Sequence, residues 1–226
     1  MARDRRNVGR QSLKRHVGTR QPRKTLLVFC EGKETEPQYL KALKQQPAVR
    51  DFAAVDIRVE TGQGDSPMTL VAMAIEARQK AKGEDSEIDE VWCVFDVEWP
   101  RSHPFLKDAT EHARQGSVEV AISNPCFELW LILHLQDHRR SLSNDDARRL
   151  RRKLDRSSGK GLDPAKYMPH VREAARRAAS LDENHFRNGT SFPEDNPSSG
   201  MHRLLASVGV LAGAEESDRR NEGDGR

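Results

Sequence analysis

Cysteine is scarce in this chain of 226 residues: Cys30, Cys93 and Cys126 are the only three, and no two form a C-x-x-C pair. That excludes a disulfide framework and a zinc knuckle, and it fits a cytoplasmic chain with buried free thiols. No stretch approaches the roughly 18 consecutive apolar residues of a membrane helix. The basic N-terminus has no apolar core behind it, so it does not read as a secretory signal. Aromatics are few, at 5%, which argues against sequence-specific reading of single strands by base stacking. With 35% apolar and 32% charged residues, the expectation is a polar protein with a compact core and a large charged surface.

The net charge of +3 is unevenly placed. Residues 1–24 hold nine Lys/Arg and one acid, about +8 by direct count, so the remainder is mildly acidic. Arg5, Arg6, Arg10, Lys14, Arg15, Arg20, Arg23 and Lys24 form a basic arm suited to releasing phosphate counterions from nucleic acid. The other reading is a disordered solubilising arm. Residues 213–226 read as a disordered tail of mixed charge.

Between these ends the pattern is regular. The run at 25–30 ("TLLVFC") is a strand buried on both faces. A helix follows from Thr35, with Thr35 as cap and Gln38 completing a capping box. Residues 54–60 alternate with period two, as in a half-exposed strand near a sheet edge. The glycine-rich turn "TGQGDSP" lacks the Lys-Ser/Thr ending of a P-loop. It leads through Ser66-Pro67 into a helix reaching about residue 82. A second buried strand covers 90–98, a helix 105–115, a strand 117–122, and a largely buried helix runs through "SNPCFELWLILHL". Helices are expected at 144–155, 164–181 and 197–208, started by Asn144, Asp163-Pro164 and Asn196-Pro197. Alternating strands and helices define an α/β fold with a mainly parallel sheet. The division expected is an arm (1–24), an α/β core (25–140), a helical extension packed on it (141–212) and a tail.

Acids stand where the buried strands end. Glu31 follows the first; Asp96 and Glu98 end the third, two apart and so on the same side of an extended chain. Ligands of parallel sheets bind outside the carboxyl ends of strands. Carboxylates crowded there need raised pKa values, basic partners or a cation to offset repulsion. Hard oxygen donors suit Mg²⁺, with Mn²⁺ as a substitute, and phosphodiester chemistry. The bland reading is solvated loop acids. Glu34 and Glu36 belong by this reading to the first helical turn, where acids suit the helix dipole. Glu128, in an apolar helix, needs a partner: a structural salt bridge or membership of the site. Lys33 either contacts phosphate or is a plain surface lysine. The cluster at 148–156 either holds nucleic acid or is a solvated face with Leu150 and Leu154 turned inward. His103, His112 and His134 show no ligand spacing.

"LLVFCEGKETEPQYL", "DEVWCVFDVE" and "ISNPCFELWLILHL", in that order, resemble the RloB family, over about residues 24–138 and more faintly at "NPSSGMHRLL". The basic arm is also typical of it. The resemblance implies a Toprim-like parallel-sheet core with helices on both faces, related to the nuclease domain of the OLD family, and Mg²⁺-dependent cleavage of DNA or RNA. It puts Glu31 at the Toprim glutamate position, as general acid/base. Asp96 and Glu98 fall at the D-x-D metal positions, with Glu in place of the second Asp. Glu128 would support them. It also implies a place in anti-phage defence or a restriction-linked system, often beside an ATPase partner. The alternative is a Toprim-like module that binds nucleic acid or the ATPase without cutting, which the Glu98 departure favours.

Overall fold

The computed structural model describes residues 24–59, 66–84, 88–157 and 161–211. Four parallel strands form its frame: β1 (Lys24–Cys30), β2 (Ala53–Val59), β3 (Glu90–Asp96) and β4 (Glu119–Asn124). A two-residue strand, β5 (Ser198–Ser199), pairs antiparallel with β4. The order is β2-β1-β3-β4-β5. Thus β2 is an edge strand, as its alternation implies, and Asp56 on it is exposed.

The central strands are apolar throughout because both faces are covered. Leu26, Val28, Cys30, Trp92, Val94 and Ala121 face one layer, built from α1 (Thr35–Leu43), α5 (Phe127–Leu135), α7 (Val171–Arg187) and α8 (Met201–Ser207). Leu27, Phe29, Val91, Cys93 and Phe95 face the other, against α3 (Pro67–Gly83) and α4 (Leu106–Gln115). Each of these layers takes alternate residues of the same strands, as period two requires. This five-stranded, mostly parallel sheet with helices on both faces is consistent with a Toprim-like core. All three cysteines are buried and free. No helix among the described residues is long and apolar enough to cross a membrane.

Several boundaries differ from the sequence expectations, each for a local reason. Glu34, not Thr35, occupies the cap position of α1 and makes no side-chain cap bond. That helix ends at Leu43, and Pro47 opens a separate helix, α2 (Pro47–Phe52). Ser66 does cap α3, accepting from Thr69 N at 3.3 Å. Helix α6 (Asn144–Asp155) is capped by Ser143, whose partner is Asp146 in a reciprocal capping box. The helix expected at 164–181 starts late. Two 3₁₀ turns, Pro164–Lys166 and Met168–His170, precede α7, because Pro169 cannot donate to a continuing helix. Asn196-Pro197 leads into β5 rather than directly into a helix. The C-terminal helices therefore complete one layer of the sheet: α7 and α8 share a core cluster with β1 and β3.

The topology selects one place for a ligand. From β1 the chain moves outward to β2, while from β3 it moves the opposite way to β4. The carboxyl ends of β1 and β3 flank the point where the direction reverses, which is where open α/β sheets leave a crevice.

Candidate functional site

A cleft of about 530 Å³ opens at that point. Glu31 enters it directly from the end of β1. Its backbone N–H still bonds Val94 O at 3.0 Å, and its Oε2 accepts from Asp96 N at 3.3 Å. The side chain is thus tied to the end of the neighbouring strand. Asp96 closes β3 on the cleft floor. Its Oδ1 is shut off from solvent and has no hydrogen-bond partner among the described residues. Burial pushes the Asp96 carboxyl well above the usual range, and the charges of Glu36, Glu128 and Glu31 push it further. The backbone N–H of Phe127, at the start of α5, bonds it and works the other way.

Glu36 is a site residue that helix-dipole reasoning passed over. It is 8% exposed, and its carboxylate folds back over Gly32. A Cβ at Gly32 would lie 2.1 Å from Glu36 Oε2, so the glycine is what lets this acid enter the cleft. The sequence signal was there: a glycine between two acids, at the mouth of a buried strand. Glu34 also lines the cleft but is exposed at the helix cap. Glu128 lines it from the first turn of α5. Its neighbours there are Asp96 and the thiol of Cys126.

Glu98 reaches the cleft by a different route from the one expected. Strand β3 stops at Asp96, and Glu98 has φ 64°, in the left-handed region. The two acids are therefore not same-side neighbours on an extended strand. Glu98 N bonds Pro125 O at 2.8 Å, and its Oε2 lies 3.7 Å from His103 Nε2. Its side chain is 44% exposed.

His103 was missed in the sequence because nothing in its spacing marks it. It sits with 17% side-chain exposure, Nε2 2.9 Å from Glu31 Oε1. A backbone bond from His103 N to Val97 O, 3.2 Å, brings it back over the strand end.

The basic residues divide. Lys33 and Arg148 line the cleft walls, from the loop after β1 and from α6. The rest of the 148–156 cluster has other work. Arg151 is buried beside Asp155, Nε to Oδ2 2.7 Å, and donates to Tyr167 Oη at 3.2 Å and Gly161 O at 2.7 Å. Arg149 pairs with Asp146. Leu150 and Leu154 pack against Cys126 and Ile132. Lys24 stands at the amino end of β1, on the opposite rim of the sheet. It is ion-paired to Glu90 and bonded to Ser207 at 2.9 Å. Arg5, Arg6, Arg10, Lys14, Arg15, Arg20 and Arg23 lie outside the described residues.

Glu31, Glu34, Glu36, Asp96, Glu98 and Glu128 are the carboxylates that line the cleft. Among the described residues no group of three or more His, Cys, Asp or Glu is gathered as a ready metal cage. An acid-lined cleft at the switch point of a mostly parallel sheet defines an α/β protein with a cleft at its strand ends. The chain belongs to the RloB-like protein family, whose model matches residues 26–208. No curated protein and no solved structure matches it.

Proposed function

We propose that this protein is a Mg²⁺-dependent nuclease that hydrolyses phosphodiester bonds of DNA or RNA at the cleft between β1 and β3. The observation that carries the reading is Asp96. Its buried carboxyl has an oxygen without a protein partner, among three further carboxylates that repel its charge. A divalent cation offsets that repulsion, and the all-oxygen donor set suits Mg²⁺ or Mn²⁺. Mg²⁺ takes one or two carboxylates and fills its remaining positions with water and substrate oxygens, so a complete protein cage is not required. Asp96 and Glu31 would hold it, with Glu36 and Glu128 as the nearest further acids. When bound, such a cation stabilises charge developing on a phosphoryl group.

The chain's own groups supply the rest. His103 Nε2 lies 2.9 Å from Glu31 Oε1, within ion-pair distance but without a hydrogen-bond partner among the described residues, so it is placed to meet a proton moved at the cleft. Lys33 and Arg148 on the walls can orient a phosphate. Glu98 fits the rim, where it positions His103, better than a metal position. The Toprim assignment, the cytoplasmic setting, an ATPase partner and a role in anti-phage defence belong to this reading through the family resemblance.

A second reading keeps the cleft but not the cutting: a module that binds nucleic acid or an ATPase partner. The left-handed turn that carries Glu98 away from Asp96 favours it. Cleavage of labelled DNA and RNA with Mg²⁺ or Mn²⁺ separates the two, run on wild type beside Asp96→Asn and Glu31→Gln. The nuclease reading expects a loss of roughly 10²-fold or more in each variant. Equal cleavage by all three proteins sinks the catalytic assignment. Metal-dependent binding without cleavage by the wild type supports the module.

A further inference from the structure

Among the described residues four large apolar side chains are exposed, and two of them, Trp99 at 46% and Phe105 at 69%, lie on one loop. That loop starts at Glu98 and runs past His103, both of which line the cleft. It is bounded by two residues in the left-handed region, Glu98 at φ 64° and Phe105 at φ 62°. For a bulky aromatic this is an uncommon backbone. Its result is that Phe105 faces solvent while the next residue, Leu106, is buried. The loop is pinned at three points: Glu98 N to Pro125 O, His103 N to Val97 O, and Asn144 N to Trp99 O at 2.9 Å. Its aromatics are thus held on a fixed frame, which lowers the ordering cost of binding.

We propose that the loop 98–105 is a stacking platform for unpaired bases, so that the cleft takes single-stranded nucleic acid in preference to duplex. The proposal rests on the nucleic-acid reading of the cleft. Charge supports it. The acidic floor repels phosphates, whereas a neutral base can lie on an indole or phenyl face without that penalty. Arg101, exposed, stands within the loop, Lys107, exposed and 3.9 Å from Glu194 Oε1, stands just after it, and Lys33 and Arg148 stand on the cleft walls, where they can take the flanking phosphates. Aromatics interleaved with cations are the usual means of holding a single strand without reading its sequence. In a duplex the base faces are already stacked on one another and closed to such a loop.

The three tryptophans make the test selective. Trp92 and Trp130 are 4% and 0% exposed, so ligand-dependent quenching of emission reports Trp99. The full chain, without added divalent metal, is titrated with oligothymidylate, a duplex of equal length and thymidine monophosphate. The single strand is expected to quench, the duplex and the mononucleotide to do so far more weakly. By anisotropy of a labelled single strand, Trp99→Ala and Phe105→Ala each bind roughly ten-fold more weakly. Trp99→Phe loses the signal but keeps most of the affinity. Equal quenching by duplex overturns the proposal, as does wild-type affinity in both alanine variants. Mononucleotide binding as tight as the oligonucleotide's overturns it in favour of a nucleotide pocket. Because binding is read without metal, a wild-type protein that binds the single strand but cleaves neither DNA nor RNA with Mg²⁺ or Mn²⁺ defeats the nuclease reading and leaves the platform standing. Full single-strand affinity in the loop variants does the reverse.

Discussion

Acidification should destabilise this protein through one buried histidine. His134 lies on α5 at 2% exposure, ringed edge-on by Tyr39, Trp130 and Tyr167. Its Nδ1 faces Trp130 O at 2.8 Å, and a carbonyl can only accept, so Nδ1 carries the proton. Nε2 then accepts from Tyr39 Oη at 3.1 Å. Burial above all, against the bond to Trp130 O and helped by the charges of His170 and Arg177, lowers the His134 pKa to about 3. The unfolded chain titrates near 6.5. Between those values the unfolded state binds a proton that the native state refuses, so stability is full above about pH 6.5 and falls as pH drops towards 3. At ~1.4 kcal/mol per unit, the loss on going from about pH 7.5 to pH 5 is ~2 kcal/mol. That figure holds for any folded value below about 4, so it depends chiefly on the unfolded pKa. Urea unfolding at both pH values, on wild type and His134→Phe, isolates this from other groups. The variant keeps the ring packing and leaves Tyr39 short of a partner, so it starts less stable, but its pH slope should be shallower by that ~2 kcal/mol. Identical slopes would show that His134 is not buried neutral.

Two other perturbations have definite signs. Asp96 is raised, so its folded form favours the proton and its contribution is lost as pH rises through the folded pKa. Asp96→Asn should therefore raise the Tm of metal-free protein at neutral pH, while removing most of the Tm gain that Mg²⁺ gives the wild type; an unchanged Mg²⁺ effect would refute the role of Asp96. Arg151→Ala leaves Asp155 buried without its cation, since both side chains are 4% or less exposed. A loss of ~3–5 kcal/mol in urea unfolding is expected, and a loss below about 1 kcal/mol would mean that solvent reaches the pair.

The parts of the fold visible in the sequence were those governed by local chemistry. Continuous apolar runs marked β1 and β3, alternation marked β2 as an edge, and Ser66-Pro67 marked the start of α3. Glu31 and Asp96 were legible because a strand end is a position that the run of apolar residues itself defines. The rest of the site depends on where the chain goes afterwards. Glu36 enters because Gly32 offers no Cβ. His103 arrives by a loop whose path follows from a left-handed residue and one backbone bond. Arg148 comes from a helix that packs through Leu150 and Leu154, far along the chain. Glu98 was misjudged because an extended strand was assumed two residues too far. The strand β5, two serines long, carries no hydrophobic period at all.

The layer completed by α7 and α8 has a consequence for how the chain is made. Synthesis runs from the amino end, and β1 leaves the ribosome well before the helices that cover its inner face, which extend to Ser207. At ~5–20 residues per second that interval is roughly ten to thirty-five seconds. Throughout it Leu26 and Val28, and from the synthesis of β3 onward Trp92 and Val94, lack part of their cover, so the nascent sheet is a candidate for chaperone binding. On the nuclease reading, the cleft gains its full support only after α8 has been made.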